Sequence, residues 1–247
     1  MKKRFANNAP SDYGPSFAAP ALWGSDANPG YPLTAEERAL LALIATIVRY
    51  RKGDRIYQEG ADATAAYNIV AGVVKSYRDL PDSRQHIVGF LFAGDLLGLA
   101  ENGKYINSAA AVTAATLHRI PAGALEARLR KNPTLDFHII SKLCHDLREA
   151  QRHAFVLSRH RATVKLALFL EMIEAQQAGH GLGNRELYLP MSRSDIGAYV
   201  GISPEAVSRA LRDLVSLGAI TFRDRRHVKI SNRAELEGVI SESLNPR

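Results

Sequence analysis

The segment GISPEAVSRALRDLVSLGAI, Gly201 to Ile220, places Glu205, Ser208, Arg209 and Arg212 at i, i+3, i+4 and i+7, which is one face of a helix. The apolar residues Val207, Leu211, Leu214 and Val215 fall on the other side. A helix that only packs on a core needs no polar cluster in its first turns. These residue types suit the edges of bases. Arg pairs bidentately with guanine O6 and N7, Glu accepts from cytosine N4, and Ser is permissive. Ser203 reads as the N-cap and Pro204 as the first helical residue, where a missing N–H is harmless. The pattern predicts a helix that pushes its N-terminal end into something rich in donors and acceptors.

The flanking elements fit that task. ATVKLALFLEMIEAQQAG reads as an amphipathic helix and LYLPM as a short strand. SRSDIGAYV reads as a helix capped by Ser192, with Asp195 three residues on. Gly201 makes a tight turn, and AITFRDRRHVKIS reads as strand, basic turn, strand. Together they predict a winged helix-turn-helix over residues 161–247. Glu205, Ser208 and Arg209 are then placed to read bases in the major groove of double-stranded DNA. Arg193, Ser203, Arg212, Arg225, Arg226 and Lys229 are placed to meet phosphates. Taken alone, the helix would be equally well explained as an exposed face with solvated charges. The glycine turn and the basic wing favour DNA.

Something must hold this module and pair it with a second copy. The chain has 247 residues, about right for two domains, and a formal net charge of +7, which favours polyanionic partners. Its one cysteine, Cys144, excludes an intramolecular disulfide and any site needing several thiolates; a reducing cytoplasm fits best. The apolar run Ala39–Val48 is too short for a membrane span and reads as part of a helix from Thr34, with Thr34 and Glu37 as a capping box, through Val48. Residues 1–33, rich in Pro, Gly, Asn and Ser, read as a disordered tail.

Residues 34–132 then form the first domain. From Arg51 to about Ile120, short apolar runs alternate with turns at Lys52-Gly53-Asp54, Glu59-Gly60, Pro81-Asp82 and Gly94-Asp95, which predicts a compact β sandwich or barrel. Residues 133–160 read as one long helix. Ile140, Leu147 and Ala154 share one heptad position, and Leu143, Ala150 and Leu157 the other. This apolar seam, on a helix linking two domains, is read as a homodimer interface. Arg148, Glu149, Arg152 and His153 take the other faces. Cys144 lies beside the seam as a buried or half-buried thiol and is the one candidate for redox chemistry.

At the level of whole motifs, MSRSDIGAYVGISPEAVSRALRDLVSLGAI resembles the helix-turn-helix of Crp/Fnr regulators, and Glu205 to Arg209 match the E-x-x-S-R box of the Fnr and FixK branch. KGD, EG, VAGVVK and FAGDLLGL stand in the order and spacing of that family's β-roll. The resemblance covers about residues 34–236. It implies an α+β fold: an N-terminal double-stranded β-helix like a cyclic-nucleotide-binding domain, a dimerisation helix and a winged helix-turn-helix. It also implies a homodimeric transcription regulator, mostly an activator, that works with RNA polymerase on an inverted repeat of TTGA and TCAA half-sites.

Departures from the family pattern narrow the signal. One thiol cannot hold an iron–sulfur cluster. Asp95 stands near the position of the family's ring glutamate. Tyr105-Ile106 stands near the Arg-Ser pair that holds a cyclic phosphate, and Lys104 is a poor substitute for a guanidinium. No cofactor is therefore expected, cyclic AMP is not expected to bind, and the effector stays open. Two rivals remain. A haem- or small-ligand-gated sensor of the same fold would draw axial ligands from eight histidines, though His153 and His160 read more simply as a solvated helix face. A cupin-like metalloenzyme would need clustered histidines, and the roll offers only His86 and His118 without a paired motif.

Overall fold

The computed structural model describes residues 34–241 apart from 83, 101, 160 and 180–185. The expected tail at residues 1–33, and His160, lie outside the described residues. The chain opens with α1 (Ala35–Ala42), capped by Thr34. The Thr34 N–H donates to the Glu37 carboxylate at 2.8 Å, and the Glu37 N–H to the Thr34 hydroxyl at 3.2 Å. Eight strands follow: β1 (Thr46–Tyr50), β2 (Arg55–Tyr57), β3 (Ala65–Ala71), β4 (Val74–Asp79), β5 (Gln85–Leu91), β6 (Leu96–Leu97), β7 (Ser108–Ala111) and β8 (Ala115–Pro121). The first helix does not run to Val48 as its apolar run suggested. Thr46, Ile47 and Val48 are β-branched, which suits a pleated strand, and β1 finds an antiparallel partner in β8, with Thr46 opposite Arg119 and Tyr50 opposite Ala115.

Among the described residues these strands form two four-stranded sheets, ordered β1-β8-β3-β6 and β2-β7-β4-β5. Their inner faces bury Ile56, Tyr67, Ile69, Val74, Leu97, Tyr105 and Leu117. One end of the roll is closed by α1, α2 (Ala122–Lys131) and the start of α3 (Pro133–Leu157), through Leu41, Ile120, Leu125, Leu135 and Ile139. Asn132 caps α3 by accepting from the Leu135 N–H at 3.1 Å, with Pro133 in the first turn.

The C-terminal half comprises α4 (Ala162–Gly179), β9 (Leu187–Tyr188), α5 (Arg193–Val200), α6 (Pro204–Ser216), β10 (Ile220–Phe222), β11 (His227–Ile230) and α7 (Arg233–Ser241). The expected amphipathic α4 is instead buried on most sides, with Val164, Leu166, Phe169, Leu170 and Ile173 all in the core. Its outer side is covered by α7, an element the sequence reading did not foresee. Leu236 is buried there, and Arg233 donates to Glu174 at 2.6 Å. No helix among the described residues is long and apolar enough to cross a membrane.

The turn between α5 and α6 is set by two glycines. Gly201 ends α5 at φ 70°, a left-handed conformation favoured by glycine. Gly197 lies so close to the following chain that a Cβ there would sit 2.5 Å from the Ile202 carbonyl oxygen. Gly197→Ala should therefore destabilise the fold by about 1–3 kcal/mol. Gly238→Ala, in α7 with open space around it, should stabilise by roughly 0.5–1 kcal/mol through helix propensity. Urea unfolding of both variants checks the pair.

Candidate nucleic-acid interface

The N-terminus of α6 is built by Ser203, whose hydroxyl accepts from the Ala206 N–H at 3.2 Å, and by Pro204 in the first turn. Val207, Ala210, Leu211 and Leu214 are buried and fix which face points inward. Val215, assigned to that apolar side in the sequence, is 40% exposed; Ala210 occupies the buried stripe in its place. Glu205, Arg209 and Arg212 are exposed and Ser208 is half-buried, all on the outward face. The Ser208 hydroxyl donates to the Pro204 carbonyl at 3.0 Å, and Arg212 Nε to the Ser208 carbonyl at 3.4 Å. The Glu205 carboxyl is held below its ordinary pKa by its own backbone N–H, by the Ser203 hydroxyl and by Arg209. At neutral pH it is an acceptor beside a guanidinium donor.

The first helix of the pair, α5, carries the Ser192–Asp195 capping box: the Asp195 N–H donates to the Ser192 hydroxyl at 3.0 Å, and the Ser192 N–H to Asp195 at 3.1 Å. Arg193 is half-buried, with its guanidinium 5.6 Å from the Phe222 ring centre, so it ties α5 to the wing. In the wing, Ile220 faces Ile230 and Phe222 faces Val228. Its turn is organised by Asp224, which accepts from the backbone N–H of Arg226 at 2.8 Å and of His227 at 3.0 Å. These bonds, led by that of Arg226, and the His227 ring hold its carboxyl down at about 2. Arg225, Arg226 and Lys229 are exposed around this turn, whereas Arg223 pairs with Glu186 at 2.6 Å. Of the sequence-assigned residues, Glu205, Ser208, Arg209 and Arg212 thus lie on the outward face of α6, Ser203 caps that helix, and Arg225, Arg226 and Lys229 lie exposed in the wing.

The seam residues of α3 lie on its outward side. Ile140, Leu143 and Leu147 are 48%, 47% and 62% exposed, Ala150 and Ala154 are exposed, and Leu157 is half-buried against Gly201. Phe137 and Phe155, which the heptad reading left out, add large apolar surface to this helix. Cys144 is exposed among the described residues, not buried or half-buried. His153 also departs from expectation. It lies on the inward side of α3, 5% exposed, with its ring stacked 3.9 Å from that of Tyr199. His86 and His118 stand on β5 and β8, in different sheets.

Between the roll and α3 is a cavity of about 330 Å³, lined in part by Tyr57, Asp95, Tyr105, Lys142, Asp146 and Glu149. Tyr105 stacks on Tyr57 at 4.0 Å, and its hydroxyl donates to the Ala65 carbonyl at 2.7 Å. Lys142 is paired with Asp146 and lies 3.7 Å from Asp95. Burial opposes its charge, but the two carboxylates overcome this and its pKa rises. Lys104 is occupied at the surface by Asp62.

Residues 47–132 match the cyclic nucleotide-binding domain family, and residues 164–239 the Crp-like helix-turn-helix domain family. The chain is 33% identical to the nitrogen fixation regulation protein FixK of Bradyrhizobium diazoefficiens over 71% of its own length and 74% of that protein's. It is 30% identical to the regulatory protein HlyX of Actinobacillus pleuropneumoniae over 83% and 87% of the two chains. The solved structure of FixK2 from Bradyrhizobium japonicum aligns with a TM-score of 0.74 at 32% identity, covering 79% of this chain and 97% of that one. With a β-roll, a linking helix and an exposed helix-turn-helix in that order, the chain belongs to the Crp/Fnr family, whose members are DNA-binding transcription regulators and not enzymes.

Proposed function

We propose that the protein is a homodimeric regulator of the FixK-like branch that activates transcription from an inverted repeat of TTGA and TCAA half-sites. The observation that carries this reading is the outward face of α6, where Glu205, Ser208 and Arg209 stand together on the first turns of a helix anchored by the buried Val207, Leu211 and Leu214. Two such helices related by a two-fold axis reach successive major grooves about 34–36 Å apart. Arg209 reads the guanine, Glu205 its cytosine partner or the adjoining adenine, and Ser208 lies near thymine. Arg193, Ser203, Arg212, Arg225, Arg226 and Lys229 hold the phosphates, and RNA polymerase is the partner at the promoter. The second copy docks on Ile140, Leu143, Leu147, Ala150, Ala154 and Leu157. Cys144, exposed on the same helix, is where oxidation would reach the seam.

The roll is read as needing no cyclic nucleotide. A cyclic phosphate requires a desolvated cation, and the cavity's Lys142 is already matched by Asp95 and Asp146. Tyr105, standing near the position of the phosphate-binding arginine, is packed on Tyr57 and bonded to the backbone.

Three measurements test this reading. Arg209→Ala should weaken binding by roughly 1–3 kcal/mol per half-site and erase the preference at the G·C pair, whereas Arg226→Ala should weaken all sequences alike and flatten the salt dependence. A binding series over every single-base variant of the half-site separates the two; a persisting G·C preference in Arg209→Ala would mean the helix faces the groove differently. Replacing Leu143 and Leu147 together by Glu would bury unpaired charge in the seam. Sedimentation should then show a monomer with much weaker DNA binding. Adding cyclic AMP to wild type should leave DNA affinity unchanged, and calorimetry should detect no micromolar binding.

A further inference from the structure

The first helix of the DNA-reading pair is held at both ends by side chains from other elements. At its N-terminus, Lys75 of β4 donates to Asp195 at 2.7 Å and to Gln85 at 3.0 Å. At its C-terminus, the last two carbonyls are taken by buried cationic residue types. Lys165 of α4 donates from Nζ to the Val200 carbonyl at 3.0 Å. His153 of α3 sits with Nε2 at 2.6 Å from the Tyr199 carbonyl. A carbonyl can only accept, so Nε2 carries the proton and donates. The His153 ring is also stacked with two others, Tyr199 at 3.9 Å and His86 of β5 at 5.8 Å, with interplanar angles of 5° and 10°. One imidazole therefore touches the roll, the seam helix and the helix-turn-helix together.

We propose that His153 is a positioning residue that sets α5, and through it α6, against the seam helix, and that proton uptake at His153 loosens this docking. The proposal rests on the reading of α5 and α6 as the DNA-reading pair. The charged and titratable groups around the joint are His86 from β5, Glu149 and Arg152 from α3, Lys75 from β4, Asp195 and Tyr199 from α5, and Lys165 from α4. Glu149, which acts on Tyr199, is paired with Arg152, and Asp195 with Lys75. No carboxylate is within hydrogen-bonding contact of the His153 ring among the interactions described, and its two ring neighbours offer no negative charge near neutral pH.

Burial pushes the His153 pKa below the ordinary imidazole value; the bond to the Tyr199 carbonyl acts the other way, and His86 adds to the depression. A base with a lower pKa when docked takes up a proton on undocking. The docking is thus intact above about pH 6.5 and is lost as pH falls through the window below it.

The test compares wild type with His153→Gln, whose side-chain amide keeps a donor for the Tyr199 carbonyl but does not titrate. Hydrogen exchange of the amides from Ile196 to Gly201, corrected for intrinsic rates, is followed without DNA from pH 7.5 to 5.5, and DNA affinity is measured over the same range. Wild type should lose up to about tenfold more protection than His153→Gln across this range, and its DNA affinity should fall with it. Any pH dependence arising away from residue 153 is common to both proteins and cancels. His86→Gln, which leaves His153 in place, should narrow the effect and provides a second variant if His153→Gln folds poorly. His153→Leu, which strips the carbonyl of its donor, should lower protection at every pH. Identical pH profiles for wild type and both Gln variants would overturn the proposal, as would wild-type protection in His153→Leu at pH 7.5. Loss of α5 protection without loss of DNA affinity would instead overturn the role of α5 in DNA reading.

Discussion

The arrangement depends on an apolar joint between the outer face of the roll and the helix-turn-helix. Phe90 of β5, Phe169 of α4 and Tyr199 of α5 have ring centres 5.5 to 6.3 Å apart. Val73, Tyr77, Ile87 and Phe92 of the roll share one buried cluster with Val156, Leu166, Ile196 and Val200. Each such side chain contributes about 1.5–3 kcal/mol when fully buried. The Lys75–Asp195 pair, partly exposed, contributes at most about 1 kcal/mol. Apolar burial therefore holds the two domains together. The polar contacts choose the register, because a buried carbonyl or carboxylate left without its partner is penalised by about 1–3 kcal/mol.

The same logic divides the long helix into two working faces. Leu135, Ile139, Lys142, His153 and Val156 are buried against the chain's own domains, while Ile140, Leu143 and Leu147 are left outside. A helix this apolar on both sides, about 37 Å long at 1.5 Å per residue, would expose a large hydrophobic strip as a monomer. On the proposed reading a second copy covers it. The face that pairs the protomers and the face that grips α5 are then opposite sides of one rigid rod, so a shift of one copy against the other moves both reading helices.

Much of this was legible in the sequence. The caps at Thr34, Ser192 and Ser203, the turn at Gly201 and the two strands of the wing follow from local chemistry, and local chemistry survives folding. What failed were inferences about environment. The run Ala39–Val48 is apolar under either assignment, and only the pairing of β1 with β8 decides for a strand. The burial of α4 needed the unforeseen α7 to cover it. His153 read as solvated because its helical neighbours Glu149 and Arg152 are charged, yet those two pair with each other and leave the imidazole to the core. One clue was available. Lys165 stands alone inside the apolar run of α4, and a lone lysine in such a run demands a buried acceptor; the Val200 carbonyl is that acceptor.

The tyrosines of the roll bear on what the first domain is for. Tyr57 stacks on both Tyr67 and Tyr105, and burial raises the pKa of Tyr57 and Tyr105. Burial thus disfavours the charged form of Tyr57 and Tyr105, and the three rings pack together inside the roll. Lys142, the cation beside them, is neutralised by carboxylates of the roll and of α3 at once. On the proposed reading a domain whose cavity charge is internally matched needs no anionic ligand. Its outer face meanwhile supplies Phe90, His86 and Lys75 to the joint that orients α5. On the proposed reading the roll therefore acts through that face, as the fixed support against which the DNA-reading helices are set.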